Sequence, residues 1–174
     1  MQRSASSNEG GALGAEAAPW RGRAWRYGPV LAWACFVLLA SSASFSAPNT
    51  SRIIRPVLLW LFPDITEPTL ANVHFFVRKA AHFTEYAVLA LLAARAFLTS
   101  RRPGLRSRWA AAAFALVVAC ALTDEFHQSF LSARTGTIYD SLLDMSGGAS
   151  ALAAVWLFRR AAREKNRKLL RNEG

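Results

Sequence analysis

Charged residues and cysteines are both scarce in this chain. Charged residues make up 18% of its 174 residues, below the roughly 25% that is typical of globular domains. The two cysteines, Cys35 and Cys120, have no His or Cys at metal-ligand spacing. The pair therefore predicts no disulfide framework, and both residues are interpreted as buried structural thiols. The chain also contains no Ser-His-Asp signature and no phosphate-cradling glycine loop, so neither kind of site is predicted.

In place of charge, the chain has long blocks of apolar sequence. Hydrophobic residues make up 53% of it and are concentrated rather than spread evenly. Each block is long enough to cross, or nearly cross, the roughly 30 Å hydrocarbon core of a bilayer. With the polar residues at their ends included, the blocks predict an all-α integral membrane bundle of four transmembrane helices, at about 27–45, 77–98, 109–130 and 138–158.

Basic residues outnumber acidic ones by 21 to 11, which gives a net charge of +10. They flank the apolar blocks and form no continuous basic face, so nucleic acid is not a predicted partner. By the positive-inside rule, the basic stretches before the first helix, between the second and third, and after the fourth are cytoplasmic. We therefore predict an N-in/C-in topology with a disordered basic N-terminus at 1–26, a transmembrane domain at 27–158 and a basic cytoplasmic tail at 159–174. Small residues near 44–47 leave open a second interpretation, in which the first helix is a cleavable signal peptide.

The first extracytoplasmic segment has a dense apolar stretch at 53–62, behind Arg52 and Arg55. Two interpretations are open, a short helix lying in the membrane interface or a lid packed over the bundle. Pro63 and Pro68 follow, and the second long helix is predicted to start near Thr69.

Six ionisable residues lie inside or at the ends of the apolar helices. Charge at membrane depth is costly, so such residues normally face a bundle interior or a cavity and indicate function. Counted from the cytoplasmic ends at about 1.5 Å per residue, they lie about 20–27 Å up three different helices. They share one level in the outer third of the bilayer and predict a single buried polar site: His82, Glu85, Asp124, Glu125, Asp140 and Asp144.

The spacing within each helix agrees with one site, because residues three or four apart share a helix face. Lys79, His82, Glu85 and Tyr86 form one stripe, Asp124 and Glu125 each pair with Gln128, and Asp140 pairs with Asp144. Gly147 and Gly148 follow on the last helix, and their lack of side chains allows close helix approach.

Charge counting predicts a negative excess at this level. Three basic residues, Arg78, Lys79 and Arg134, face five acidic ones, so two negative charges remain while His82 is neutral. In a low dielectric this excess calls for a carboxylate that holds a proton, for a bound cation, or for a cationic group of a substrate.

These residues, in this order, resemble the VanZ-like family of small bacterial membrane proteins. The resemblance rests on 78–86 (RKAAHFTEY), 124–130 (DEFHQSF), 134–136 (RTG), Asp140, Asp144 and Gly147, with serines at the outer end of the first helix. It covers roughly 29–158. Ser132-Ala133 stands where the family often has Pro-Gly, and Asp144 where it often has Asn, which adds a negative charge.

The resemblance implies a multi-pass protein of the bacterial cytoplasmic (inner) membrane and carries no established reaction. The family's founding member is associated with resistance to the glycopeptide antibiotic teicoplanin. Expected partners are the lipid bilayer and an envelope component such as a cell-wall precursor, a phospholipid or a glycopeptide.

Two classes of function fit the residues. In the first, a membrane hydrolase or group transferase uses His82 as general acid or base, with Glu85, Asp124 and Glu125 as the other catalytic groups. Lys79, Tyr86, Gln128, Arg134, Asp140 and Asp144 would bind the substrate. No cofactor is predicted, although a metal on His82, Glu85, Asp124 and Glu125 is an alternative. In the second, the chain binds an envelope component without catalysis, and the ion network fixes helix register. A transporter is disfavoured because the inner halves of the helices offer no polar path.

Overall fold

The computed structural model describes residues 19–41, 47–129 and 138–172, and within these ranges the chain is helical without strands. The all-α prediction is confirmed. The segment 1–18, predicted to be disordered, lies outside the described residues. The helices are α1 (Pro19–Ala40), α2 (Ala47–Leu61), α3 (Glu67–Leu98), α4 (Pro103–Ser107), α5 (Trp109–Ser129) and α6 (Ile138–Asn172).

Three of these helices, α3, α5 and α6, are long and apolar enough to cross a membrane. Helix α1 has 22 residues but is not among them, because Arg21, Arg23 and Arg26 in its first turns leave its described part less apolar. The prediction of membrane-spanning helices is thus confirmed for three of the four.

The helices extend beyond the predicted spans. The chain is already helical from Pro19, within the segment predicted to be disordered. Helix α3 starts at Glu67, close to the predicted start, and Pro68 lies in its first turn, where a missing backbone N–H costs no hydrogen bond. Helix α6 continues through the predicted basic tail to Asn172, where strong helix formers and an Arg160–Glu164 pair support it.

Helix α3 lies at the centre of the bundle and packs against α6, α5 and α1. Its buried face consists mainly of small residues, which allow its neighbours to approach closely: Tyr86, Leu89, Ala90, Ala93, Ala94 and Ala96. Ala113 and Val117 of α5 and Val37 of α1 complete this core.

Side-chain contacts between the helices show the directions in which α1 and α6 run relative to α3. Helix α1 runs opposite to α3, since the Tyr27 hydroxyl lies 3.0 Å from the Ser100 hydroxyl while Trp33 Nε1 donates to the Glu85 carbonyl at 2.9 Å. Helix α6 runs in the same direction as α3, because Lys79 pairs with Asp140 and His82 with Asp144.

Two glycines of α6 bring it close to its neighbours. A Cβ atom on Gly147 would overlap the backbone carbonyl of Phe83 in α3, and one on Gly148 would lie 2.7 Å from Val117 Cγ1 in α5. The prediction that these glycines allow close helix approach is confirmed.

The exposure of apolar side chains in and just after α2 supports the interpretation of the segment 53–62 as a helix in the membrane interface. Val57, Trp60 and Phe62 are more than half exposed, whereas a lid over the bundle would bury them. Arg55 forms an ion pair with Glu67 at the start of α3, which ties the two helices together.

The prediction that both cysteines are buried is wrong for Cys35, which is exposed on the outer surface of α1, and Cys120 is half-buried. An apolar position in a membrane helix can face lipid as readily as the core, so hydrophobicity alone does not predict burial inside the protein.

Replacing Gly147 by alanine is expected to destabilise the bundle by roughly 1–3 kcal/mol, because the Phe83 carbonyl can move aside only if α3 shifts. Thermal unfolding of the purified protein in detergent measures the change. Gly28→Ala in α1 is the control, since an added Cβ meets nothing within 4 Å there. Equal effects of the two substitutions would contradict the close approach of α6 to α3.

Candidate functional site

Three helices bring His82, Asp124 and Asp144 together near one end of the bundle. One nitrogen of His82 and one oxygen of each carboxylate all lie within 4.8 Å of one another. The imidazole Nδ1 is 3.6 Å from Asp144 Oδ1. Asp124 is 1% exposed and Asp144 4% exposed, so two carboxylates and an imidazole share a buried volume.

Asp124 is held by a hydrogen-bond network that joins α1 to α5. Its Oδ2 accepts hydrogen bonds from the Ser41 hydroxyl at 2.6 Å and from Gln128 Nε2 at 2.8 Å. Gln128 Nε2 also donates to Ser41 Oγ at 2.5 Å. Since Ser41 and Gln128 are themselves buried, this network orients the carboxylate and supplies hydrogen bonds that its charge requires.

An ion pair between Lys79 and Asp140 lies about one helical turn further out. The Lys79 ammonium also lies 5.3 Å from the centre of the Phe75 ring, within cation–π distance. Both side chains of the pair are about one-third exposed, so the pair marks the open, outer edge of the site.

Tyr86 lies on the inner side of the site and is fully buried. Its hydroxyl is close enough to the Asp124 and Asp144 carboxylates for them to act on it electrostatically. Within the described residues this hydroxyl has no hydrogen-bond partner. It is therefore available to a ligand that reaches the floor of the site.

Glu85 and Glu125 lie at the periphery. Both are half-buried, and both are within electrostatic range of Asp144. A helix turns about 100° per residue, so Glu125 cannot share the direction of the adjacent Asp124. Asp144, interpreted from the sequence as a binding residue, takes the central place beside His82.

A family model described as VanZ/LLP1 matches residues 27–159, which is more than half of the chain. The chain belongs to the VanZ-like family. The match includes every residue of the site. Together with the three apolar helices, it supports the assignment of the chain as a multi-pass membrane protein. No match was found among curated proteins or among solved structures.

Sequence reasoning omitted Ser41 from the binding residues of this VanZ-like site. The only signal for it was the serine-rich outer end of the first helix, and Ser42, Ser44 and Ser46 lie outside the described residues. Arg134, a predicted binding residue, lies outside them too. Its position therefore stays a prediction.

The site of this VanZ-like chain is suited to proton transfer or to binding a cation. One imidazole nitrogen and two carboxylate oxygens from three helices form a donor set that divalent metals accept. This set differs from the metal alternative drawn from the sequence, because Asp144 replaces Glu85 and Glu125. The two buried carboxylates also exceed the single positive charge that His82 can carry.

Ser41→Ala is expected to lower the stability of the bundle by about 1–3 kcal/mol, because the buried Asp124 carboxylate loses the 2.6 Å hydrogen bond from the Ser41 hydroxyl while remaining out of water. Thermal unfolding in detergent measures this loss. Ser150→Ala is the control, since the Ser150 hydroxyl is exposed and bonds only to its own helix. A loss no larger than that of the control would contradict the structural role of the network.

Proposed function

We propose that the protein crosses the bacterial cytoplasmic membrane four times, with both termini inside. In this arrangement α1 is a membrane span in addition to α3, α5 and α6. Its antiparallel packing on α3 supports this, as does the exposure of Leu31, Phe36 and Leu39 on the surface away from the bundle. Three groups of arginines, in the first turns of α1, around α4 and after Phe158, then lie on the cytoplasmic side.

The outer site, formed by His82, Asp124 and Asp144 with the Lys79–Asp140 pair at its edge, would bind a component of the cell envelope, such as a cell-wall precursor, a phospholipid headgroup or a glycopeptide. The observation that carries this proposal is a gradient of exposure through the site. Side-chain exposure rises from 5% at Asp144 to 21% at His82 and about one-third at Lys79 and Asp140. A purely structural ion network has no need of such an opening, whereas a ligand from the extracytoplasmic side would enter through it.

The composition of the site limits what its ligand can be. The Lys79 ammonium at the rim can contact an anionic group such as a phosphate or carboxylate. The excess of buried carboxylates further in favours a cationic group, a proton or a metal ion. An amphipathic envelope molecule that carries both kinds of charge fits this order, with its apolar part in the surrounding lipid.

A second candidate function is enzymatic, and the His82–Asp144 pair favours it. A carboxylate beside an imidazole nitrogen orients the ring and stabilises its protonated form. His82 could then act as general acid or base in hydrolysis or group transfer on a lipid-linked or cell-wall substrate. Glu85, Asp124 and Glu125 would supply the surrounding charge, and a bound divalent metal would polarise the substrate.

The topology is tested by single cysteines in a chain that lacks Cys35 and Cys120. Cysteine in place of Tyr139, which is 76% exposed at the start of α6, is expected to react with a membrane-impermeant maleimide on intact cells. Cysteine in place of Arg163, beyond the apolar part of α6, is expected to react only after permeabilisation. The reverse pattern would overturn the orientation and the extracytoplasmic position of the site.

The binding function is tested by complementation of a strain that lacks the protein. We expect its lipid and envelope-precursor profile, and its teicoplanin susceptibility, to show a change that the wild-type chain restores. His82→Ala and Asp124→Asn are expected to restore at most about a tenth of this effect, because each alters one of the ionisable groups that meet in the site. Thr84→Ala is the control on α3, since its exposed hydroxyl bonds only to the Ala80 carbonyl.

Membrane abundance of each variant separates function from folding. If His82→Ala accumulates as wild type and restores nothing, the site is functional, whereas loss of the protein itself indicates a structural role. Incubation of the purified protein with a lipid-linked wall precursor then distinguishes the two candidate functions. Turnover supports the enzyme, and saturable binding without turnover supports the binding protein.

A further inference from the structure

A second polar feature lies at the opposite end of the bundle from the outer site. A hollow of about 880 Å³ opens between α6 and the segment that contains α4 and the start of α5. Five arginines and one acid line it: Arg106, Arg159, Arg160, Arg163, Arg167 and Glu164. Four positive charges therefore remain after the acid is counted.

Most of these arginines have no acidic partner. Arg160 donates to Glu164 at 3.0 Å, while the other four form no ion pair within the described part of the chain. Two of the guanidinium groups lie over tryptophan rings, Arg159 at 6.0 Å from Trp109 and Arg160 at 5.5 Å from Trp156. Stacking of this kind orients a guanidinium and leaves its N–H donors available at the edge of the plane.

The hollow lies where a membrane surface would be. Leu98 at the end of α3 and Trp109 at the start of α5 form part of its wall. Trp156 is on α6 just before the basic extension, and tryptophan is enriched at the depth of lipid headgroups. Leu157 and Phe158 beside it are exposed on the bundle surface, where acyl chains would lie.

We propose that this hollow binds the headgroup of an anionic phospholipid from the adjacent leaflet. Arginine matches phosphate oxygens with paired N–H donors, and basic pockets between helices at a membrane surface bind anionic headgroups. A basic tail that is simply attracted to an anionic membrane does not need a defined pocket. Here Arg106 of α4 and the arginines of α6 line the same hollow, which a specific headgroup site does need. A polynucleotide is disfavoured, because its path would run into the lipid beside Trp156.

The two faces of the α6 extension provide a matched comparison. Arg163 and Arg167 line the hollow, whereas Lys165 and Lys168 line a separate depression on the same helix. Arg163→Gln/Arg167→Gln and Lys165→Gln/Lys168→Gln remove the same charge from neighbouring turns. A specific site distinguishes the two pairs, and a diffuse polybasic tail does not.

The experiment is native mass spectrometry of the full chain, released from micelles that contain phosphatidylglycerol or phosphatidylcholine in known amounts. We expect wild type to retain phosphatidylglycerol in preference to phosphatidylcholine. The arginine double variant is expected to bind phosphatidylglycerol at least about tenfold more weakly, because it removes two of the guanidinium groups that line the hollow. The lysine double variant is expected to change affinity by less than about threefold, because its side chains lie outside the hollow and their exposed charges are screened.

Equal losses in the two double variants would overturn the proposal, as would the absence of a lipid preference in wild type. Displacement of the lipid by millimolar inorganic phosphate would overturn it too, since a soluble anion would then be the ligand. If the arginine variant does not fold, Glu164→Gln decides the question. Removal of this acid is expected to tighten phosphatidylglycerol binding, and unchanged or weaker binding would contradict the site.

Discussion

The approach of α6 to α3 at Gly147 determines where the polar side chains of the outer site lie. Because Gly147 has no side chain, the backbone of α6 contacts the Phe83 carbonyl directly. Asp144 is about one turn away on α6 and Asp140 about two, and the parallel direction of the helices places them beside His82 and Lys79. Gly148 fits α6 against Val117 in the same way, on the helix that carries Asp124. Two residues without side chains thus bring ionisable groups of three helices together.

The cost of burying these groups explains the organisation of the site around them. Asp124 is the most buried of the acids, and it is also the one for which α1 and α5 supply hydrogen bonds, from Ser41 and Gln128. The ion pair of Lys79 with Asp140 requires less support because it is partly exposed, and water or headgroups can solvate it. This order, from a buried acidic interior to a mixed-charge rim, supports the proposal that an envelope molecule binds there.

The bundle has different chemistry at its two ends and an apolar interior between them. Leu89, Ala90, Ala93 and Val117 fill the described core below the outer site, so no polar path joins that site to the basic end. This separation disfavours a transporter and makes the two proposed ligand sites independent. Acidic residues near one membrane surface and arginines near the other also agree with an inward-facing basic end.

Sequence alone determined that the chain is helical, that it carries membrane-spanning helices, and that His82, Asp124 and Asp144 occupy one depth. Hydrophobic block length and rise per residue are local properties, and they suffice for such statements. Only the tertiary structure decided which acids are central, because rotation of α5 and α6 about their axes depends on contacts with α3. For the same reason sequence reasoning omitted Ser41, overestimated the burial of Cys35 and left the place of α2 open. Each of these depends on which face of a helix meets a neighbour, and in a membrane both lipid-facing and core-facing positions are apolar.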